Sequence, residues 1–253
     1  MILWETLAVA FSMFSAIPMP NVEWNDQNMR YSLCAFPLVG AVVGAVCRLW
    51  LHLALRLALP GMLRGAGLCV LPVLLTGGIH LDGYADTWDA LSSHAPAARR
   101  QEILKDPHLG AFAAIRLGVY FVLFLAFGAA LPEGPALWLT PLFCLSRSLS
   151  GLALTLFPLR EGSGLARSFA DASDKGRVRT VLLILSVLLS VLLCLLGAWP
   201  AAAAALLVFA RYYRLVRRAF EGLSGDLAGW FLQTAELWML GAMCLWPYVE
   251  KLL

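Results

Sequence analysis

The sequence carries little charge. Asp, Glu, Lys and Arg together make up 14% of its 253 residues, whereas soluble domains carry about 25%. Combined with a hydrophobic content of 60%, this shortage excludes a disordered chain, which is poor in apolar residues. It also excludes an ordinary cytosolic enzyme, because too few charges are present to coat the surface of a soluble domain. Internal repeats and low-complexity tracts are also missing, which excludes a fibrous protein. The net charge of +3 is small, and no nucleic-acid partner is expected.

Cysteine pairs are absent as well. None of the six cysteines forms a C-x-x-C motif, and all lie in or beside apolar runs. Cysteine behaves as a small hydrophobic residue in such surroundings. Neither a disulfide framework nor a cysteine metal site is therefore expected.

Hydrophobic residues are abundant. They make up 60% of the sequence, and the mean hydropathy is +0.77. A helix needs about 20 apolar residues to cross a bilayer. The apolar stretches lie at 32–53, 65–81, 117–131, 136–157 and 227–249, with two more inside 181–210, which Gly197 and Pro200 divide. We predict an all-α, polytopic integral membrane bundle of about seven transmembrane helices, in a single membrane-embedded domain covering residues 1–253.

The first apolar segment, 3–17, is too short for an ordinary span. A signal peptide usually has a basic start and a small-residue cleavage site. This segment instead starts with Glu5 and continues into Pro18 and Pro20. We therefore predict a short, retained helix that lies in the membrane or at its interface.

Basic residues are distributed unequally between the two sets of loops. Twelve belong to one set: Arg99, Arg100, Lys105, Arg160, Arg167, Lys175, Arg177, Arg179, Arg211, Arg214, Arg217 and Arg218. Only Arg56, Arg64 and Lys251 belong to the other set. The positive-inside rule places the first set in the cytoplasm.

Three carboxylates follow the second apolar stretch. Asp82, Asp86 and Asp89 are spaced i, i+4 and i+7, which places them within an arc of about 60° on a helix. Ionised carboxylates this close repel one another, so they need a cation or a shared proton. Mg²⁺ prefers oxygen ligands and often binds one or two carboxylates together with a substrate phosphate. The alternative is a solvated start of a helix.

Gly77, Gly78 and His80 lie directly before these carboxylates. The glycines would allow either a ligand to approach the backbone or two helices to pack closely. His80 falls on the face opposite the acids if the helix is continuous, which favours a packing or interfacial role over ligand binding.

Two ionisable residues, Arg147 and Glu236, lie inside apolar segments. Such residues usually face a polar cavity or a partner. Arg147 could bind a phosphate and Glu236 could join a metal site; the alternative is a buried ion pair. Asp226, Gly229, Gln233 and Glu236 share one stripe of the last helix, which suggests that the site continues down into the bundle.

Two polar loops complete the set of candidates. The segment 105–110 contains Lys105 and Asp106, and the segment 160–164 combines Arg160 with glycines. An arginine in flexible backbone suits phosphate binding. Each loop could equally be a solvated connection at the membrane surface.

Taken in order, these segments resemble motifs of the cobalamin synthase (adenosylcobinamide-GDP ribazoletransferase) family. Residues 77–89 resemble its GGLHLDGLAD-x-x-D signature, 105–112 its MKD-x-x-x-G-x-F segment, 160–165 its R-x-E-G-x-G stretch, 222–226 with Glu236 its G-x-T-G-D…E element, and 36–40 its FP-x-V-G run. A second glutamate of the family near Glu236 is absent, and Met239 and Leu240 stand there.

The resemblance implies the last joining step of cobalamin biosynthesis. GDP-activated cobinamide reacts with α-ribazole or its 5′-phosphate, GMP leaves, and a phosphodiester remains. It also implies Mg²⁺ as cofactor and a place in the bacterial cytoplasmic membrane. The catalytic residues would be Asp82, Asp86 and Asp89. The metal ligands would be these three with Asp226 and Glu236. The substrate and phosphate ligands would be Gly77, Gly78, His80, Lys105, Asp106, Arg147 and Arg160.

Other classes of function remain open at this point. The acidic pattern partly resembles the CDP-alcohol phosphotransferases, although the D-G-x-x-A-R core of that family is not intact. Intramembrane acids could instead form the ion pathway of a secondary transporter. A homo-oligomer, or a complex with other late cobalamin enzymes, is expected by analogy only.

Overall fold

The computed structural model describes residues 2–160 and 164–252, and the regular elements of this part of the chain are all helices. Its helices are α1 (Ile2–Phe14), α2 (Asp26–Met29), α3 (Ser32–Arg56), α4 (Gly61–Thr76), α5 (Ile79–Ser92), α6 (Ala97–Ile103), α7 (Ala111–Ala129), α8 (Leu139–Leu156), α9 (Leu165–Ala172), α10 (Lys175–Leu195), α11 (Trp199–Ala219) and α12 (Gly225–Glu250). No β-strand forms within the described ranges, where the only bridge is an isolated one between Leu159 and Leu223. The predicted all-α class is confirmed.

Several of these helices can cross a membrane, as a multi-pass protein requires. In the described residues α3, α7, α8 and α10 are long and apolar enough, and the bent pair α4–α5 adds a fifth span if it is counted as one. The predicted number of about seven is not confirmed. The helices α11 and α12 have 21 and 26 residues, but basic residues lower the hydropathy of α11 and polar residues lower that of α12.

The helix α12 is the centre of the bundle. It packs against α5, α7, α8 and α11, and every residue from 229 to 237 is buried. A helix enclosed by other helices has little contact with lipid, so it tolerates polar side chains that find partners inside the protein. The polar stripe predicted on this helix therefore faces the protein interior.

The chain turns sharply between α4 and α5. The apolar run predicted one continuous segment over 65–81. In the structure α4 ends at Thr76, and α5 is inclined to α4 by 99°. Gly77 and Gly78 have φ values of 65° and 77°, in the left-handed region that costs other residues about 1–2 kcal/mol each. The prediction that this span reaches Leu81 is wrong, and the two glycines provide the turn.

The helices α5 and α12 pack with their backbones in close contact. A Cβ atom on Gly83 would lie 2.7 Å from Cα of Asp226, and one on Gly229 would lie 2.7 Å from the carbonyl oxygen of His80. Small residues let two helices approach to this distance. The carboxylates of α5 are thereby held beside the first turn of α12.

The predicted N-terminal helix is α1. Its 13 residues rise only about 20 Å, which is short of the roughly 30 Å hydrocarbon layer. Ala8, Val9 and Ala10 are fully buried, and α1 packs against α3. Just after the helix, the N–H of Ala16 donates to the carbonyl oxygen of Leu75 at 2.9 Å.

Candidate active site

Four carboxylates converge at one end of the bundle. Asp82, Asp86 and Asp89 come from α5, and Asp226 comes from the first turn of α12. Asp86 is half-buried and is repelled by the charges of Asp82, Asp226 and Asp89, in that order. We call these four residues the acidic cluster. Burial and mutual repulsion both make a cation favourable beside it.

Asp226 is held in place by the start of α12. The hydroxyl of Ser224 donates to Oδ2 of Asp226 at 3.3 Å and accepts from the backbone N–H of Leu227 at 3.4 Å. Ser224 is therefore the N-cap of the helix. A carboxylate in the first turn is also favoured by the helix dipole.

Arg160 is brought to the acidic cluster by a short backbone contact. The N–H of Arg160 donates to the carbonyl oxygen of Leu223 at 3.1 Å. The N–H of Leu223 in turn donates to the carbonyl oxygen of Pro158 at 2.8 Å. Gly222 has φ of 150°, and a Cβ atom there would lie 2.5 Å from the nitrogen of Arg160. The backbone of Arg160 is thereby held next to Leu223, three residues before Asp226.

Asp89 connects α5 to α7. Its Oδ1 accepts a hydrogen bond from the N–H of Ala113 at 3.3 Å, in the first turn of α7. A Cβ atom on Gly110 would lie 2.1 Å from both carboxylate oxygens of Asp89. This glycine precedes α7, and the contact requires that it have no side chain.

A cavity of about 620 Å³ opens at Arg160, whose backbone is bonded to Leu223, three residues before Asp226 of the acidic cluster. One wall is the face of α6 that carries Gln101 and Glu102, and the rest includes Lys105, Arg160 and Glu221. The side chain of Arg100 fixes α6 in place by donating to the carbonyl oxygen of Ala219 at 3.2 Å. The volume is that of a small-molecule site, and its charged side chains are two basic ones, Lys105 and Arg160, and two acidic ones, Glu102 and Glu221.

Asp106, another predicted ligand, turns back onto its own loop. Its Oδ1 accepts from the backbone N–H of His108 at 3.0 Å and lies 2.7 Å from Nδ1 of the same residue. These two hydrogen bonds hold the pKa of Asp106 below its usual range. The side chain is exposed, and it orders the loop between α6 and α7.

Arg147 and Glu236 form a buried ion pair with each other. Both side chains are 1% exposed, and the hydroxyl of Ser146 donates to Oε1 of Glu236 at 2.8 Å. Glu236 lies about 15 Å along α12 from Asp226, at about 1.5 Å per residue. The structure does not bring either residue to the acidic cluster. Their geometry is that of a buried ion pair, which was the alternative to phosphate binding by Arg147 and metal binding by Glu236.

His80 packs inside the protein. It is 6% exposed, it lies against Gly229, and its ring centroid is 5.9 Å from that of Phe36. Its position on the opposite face from the acids agrees with the packing interpretation. Gly77 and Gly78 form the turn described above.

Some residues at the site had no clear signal in the sequence. Gln101 and Glu221 are ordinary polar residues of membrane-face segments, and only the packing of α6 places them at one cavity. Gly110 and Gly222 lie within the family motifs, but the contacts that require glycine are tertiary. Glu161, Gly162 and Ser163 of the predicted phosphate loop lie outside the described residues.

The acidic cluster is not a closed coordination shell. Over residues 2–160 and 164–252, no three His, Cys, Asp or Glu side chains are grouped closely enough to hold a metal ion already. The donors are nevertheless all carboxylate oxygens, which is the chemistry that Mg²⁺ prefers, and Asp82 is exposed to solvent. The residues present therefore fit this ion.

Fold and site together define a polytopic helical membrane protein that has clustered carboxylates at one end of its bundle and a polar cavity that includes Arg160. Residues 6–244 match the cobalamin-5-phosphate synthase family. The chain belongs to this family, and the resemblance found in its motifs is confirmed.

Curated relatives agree over most of their length. An adenosylcobinamide-GDP ribazoletransferase of Lachnoclostridium phytofermentans is 43% identical over 240 residues, covering 92% of this chain and 90% of the relative. Proteins of the same name from Desulfitobacterium hafniense and Geobacillus thermodenitrificans are 35% and 30% identical, and these matches cover 93% and 96% of this chain and 95% and 96% of the relatives. No solved structure matches the chain.

Proposed function

We propose that this protein is an adenosylcobinamide-GDP ribazoletransferase. It joins GDP-activated cobinamide to α-ribazole, or to its 5′-phosphate, and releases GMP in a late step of cobalamin biosynthesis. The observation that carries the proposal is the acidic cluster together with a cavity lined by Lys105 and Arg160, since the backbone of Arg160 is bonded to Leu223 just before Asp226. The names of the relatives give the substrates.

The four carboxylates of the acidic cluster would hold Mg²⁺. When bound, the ion would neutralise charge on the diphosphate and on the departing GMP. Arg160 and Lys105 contact phosphate oxygens from the cavity side, since a guanidinium and an ammonium form strong charge-assisted hydrogen bonds to them. Phosphoryl transfer depends mainly on such positioning and charge stabilisation.

The acceptor hydroxyl needs a base. The ribose 3′ oxygen forms a bond to the phosphorus attached to the aminopropanol arm, its proton passes to a carboxylate, and the bond from that phosphorus to the GMP oxygen breaks. Oδ1 of Asp89 already accepts a hydrogen bond from the N–H of Ala113 in α7, so that oxygen is engaged by the protein itself. Asp86, half-buried among like charges, is the better proton acceptor.

We place the protein in the bacterial cytoplasmic membrane with the acidic cluster facing the cytoplasm. The loops that contain Arg100 and Arg160 meet the acidic end of the bundle, and they belong to the set that holds twelve of the basic residues. Cytoplasmic loops are enriched in such residues. Association with itself, or with other late cobalamin enzymes, stays a prediction.

The test is a reconstituted reaction. Purified protein in lipid nanodiscs, supplied with GDP-activated cobinamide, α-ribazole and Mg²⁺, is expected to release GMP together with a cobalamin product of the matching mass. Absence of GMP with both forms of the acceptor would refute the proposal. Release of CMP with a lipid acceptor, or substrate-driven uptake into sealed vesicles, would favour the alternative classes.

Gly110→Ala is expected to lower the rate of GMP release about a hundredfold, because displacement of reacting groups by about 1 Å has effects of this size. The new Cβ would overlap both oxygens of Asp89 and push that carboxylate away from α7. Initial rates at saturating substrate measure the effect. Gly118→Ala is the matched control, since a Cβ on this glycine of α7 meets nothing within 4 Å. Equal rates for the two variants would contradict the role given to Gly110.

A further inference from the structure

We propose that the cavity at Arg160 binds the guanine base of the nucleotide, and that the Glu221 carboxylate recognises it. The inference rests on the proposed function for the presence of a guanosine nucleotide. It adds a base-reading residue outside the acidic cluster.

Arg160 fixes the direction in which the nucleotide lies. This residue lines the cavity, and its backbone N–H donates to the carbonyl oxygen of Leu223, three residues before Asp226 of the acidic cluster. A diphosphate held between the cluster and Arg160 would leave one of its two ends inside the cavity, and the nucleoside is far smaller than the corrin macrocycle at the other end. The 620 Å³ of the cavity is in the range of about 300–1,000 Å³ found for small-molecule sites.

The polar groups of the cavity suit guanine. The Watson–Crick edge of guanine presents two neighbouring donors, N1–H and N2–H, and a carboxylate accepts two parallel hydrogen bonds as it does from arginine. Adenine presents an unprotonated N1 at the same place, and a carboxylate cannot bond to it. A site built for such a pair rejects the analogue that lacks the donors.

Two glutamates face this cavity, and they differ in their partners. Glu102 forms an ion pair with Arg99. Within residues 2–160 and 164–252, no basic side chain pairs with Glu221. Of the two carboxylates, that of Glu221 has no paired cation to compete with the guanine for its oxygens. We therefore assign recognition of the base to Glu221.

The experiment measures binding without turnover. Equilibrium dialysis of nanodisc-embedded protein with GMP, IMP and AMP is expected to show GMP bound about tenfold to a hundredfold tighter than AMP, as expected for hydrogen bonds to a charged group. IMP, which lacks the N2 amine, should fall between them. Glu221→Gln should remove most of the preference for GMP, because the amide keeps only one acceptor oxygen, loses the negative charge and places an NH₂ donor against a donor of guanine. Glu23→Gln, at an exposed residue away from the cavity, should retain it.

Several results would overturn the assignment. The first is a native protein that binds GMP and AMP equally, and the second is a Glu221→Gln variant that keeps the preference for GMP. The third is loss of the preference in Glu102→Gln alone. The fourth is an equal weakening of GMP and AMP binding by Glu221→Gln, which would indicate a contact to the ribose. Failure of the proposed function looks different: GMP would not be released from activated cobinamide, while the Glu221-dependent preference in dialysis would persist.

Discussion

Asp86→Asn is expected to lower the rate of GMP release at least about a hundredfold, the lower end of the effect of losing a general base. The amide has the same shape as the carboxylate, but it carries no charge for a cation and has no site for the proton of the acceptor hydroxyl. Asp86 is repelled by the three other acids, so the substitution relieves repulsion and should not unfold the protein. Initial rates in nanodiscs, at saturating Mg²⁺ and both substrates, measure the effect.

Asp171→Asn is the control for Asp86→Asn. Asp171 is exposed and pairs with Arg167 and Lys175 on the surface, and exposed pairs contribute little to stability. Its variant should keep the native rate. If Asp86→Asn retained a rate within about threefold of the native protein, Asp86 could be neither the base nor an essential metal ligand.

Local sequence patterns predicted the acid-bearing helix well. The spacing of Asp82, Asp86 and Asp89 placed them on one helical face, and α5 carries all three. Such spacing follows from the geometry of a single helix and needs no knowledge of the rest of the fold. The turn before α5 was harder, because an apolar run indicates length but not the positive φ values that Gly77 and Gly78 adopt.

Tertiary partners could not be read from the pattern. Asp226 and Glu236 share a stripe of α12, so the sequence treated both as ligands of one site. In the folded chain, α5 packs on the first turns of α12 while Arg147 of α8 meets Glu236 deeper in the bundle. Glu236 is buried and Asp226 is half-buried, and these two acids of the stripe have different partners about 15 Å apart.

The number of spans shows the limit of a hydropathy argument. Apolar length identifies helices that face lipid, such as α10. Apolar length does not distinguish a polar helix that is enclosed by other helices within the membrane from a polar helix that lies outside the membrane. The helix α12 is buried over 229–237 because four neighbours surround it, and this arrangement is a property of the whole bundle.

Removing one member of the Arg147–Glu236 pair is expected to destabilise the protein more than removing both. Arg147→Met leaves an unpaired carboxylate in the bundle, and Glu236→Leu leaves an unpaired guanidinium; either costs about 3–5 kcal/mol. The double variant replaces two buried charges with apolar side chains, which is often neutral. Thermal unfolding midpoints in one detergent, compared across the three variants and the native protein, measure the difference.

The activity of the double variant then separates the structural role from a chemical one. If the pair only holds α8 against α12, the folded double variant should release GMP at a rate close to that of the native protein, because the acidic cluster and Arg160 are unchanged. A folded but inactive double variant would mean that Glu236 binds the metal or that Arg147 binds a phosphate. Additive losses of stability would contradict the ion pair itself, since two residues that act independently show no coupling in a double-mutant cycle.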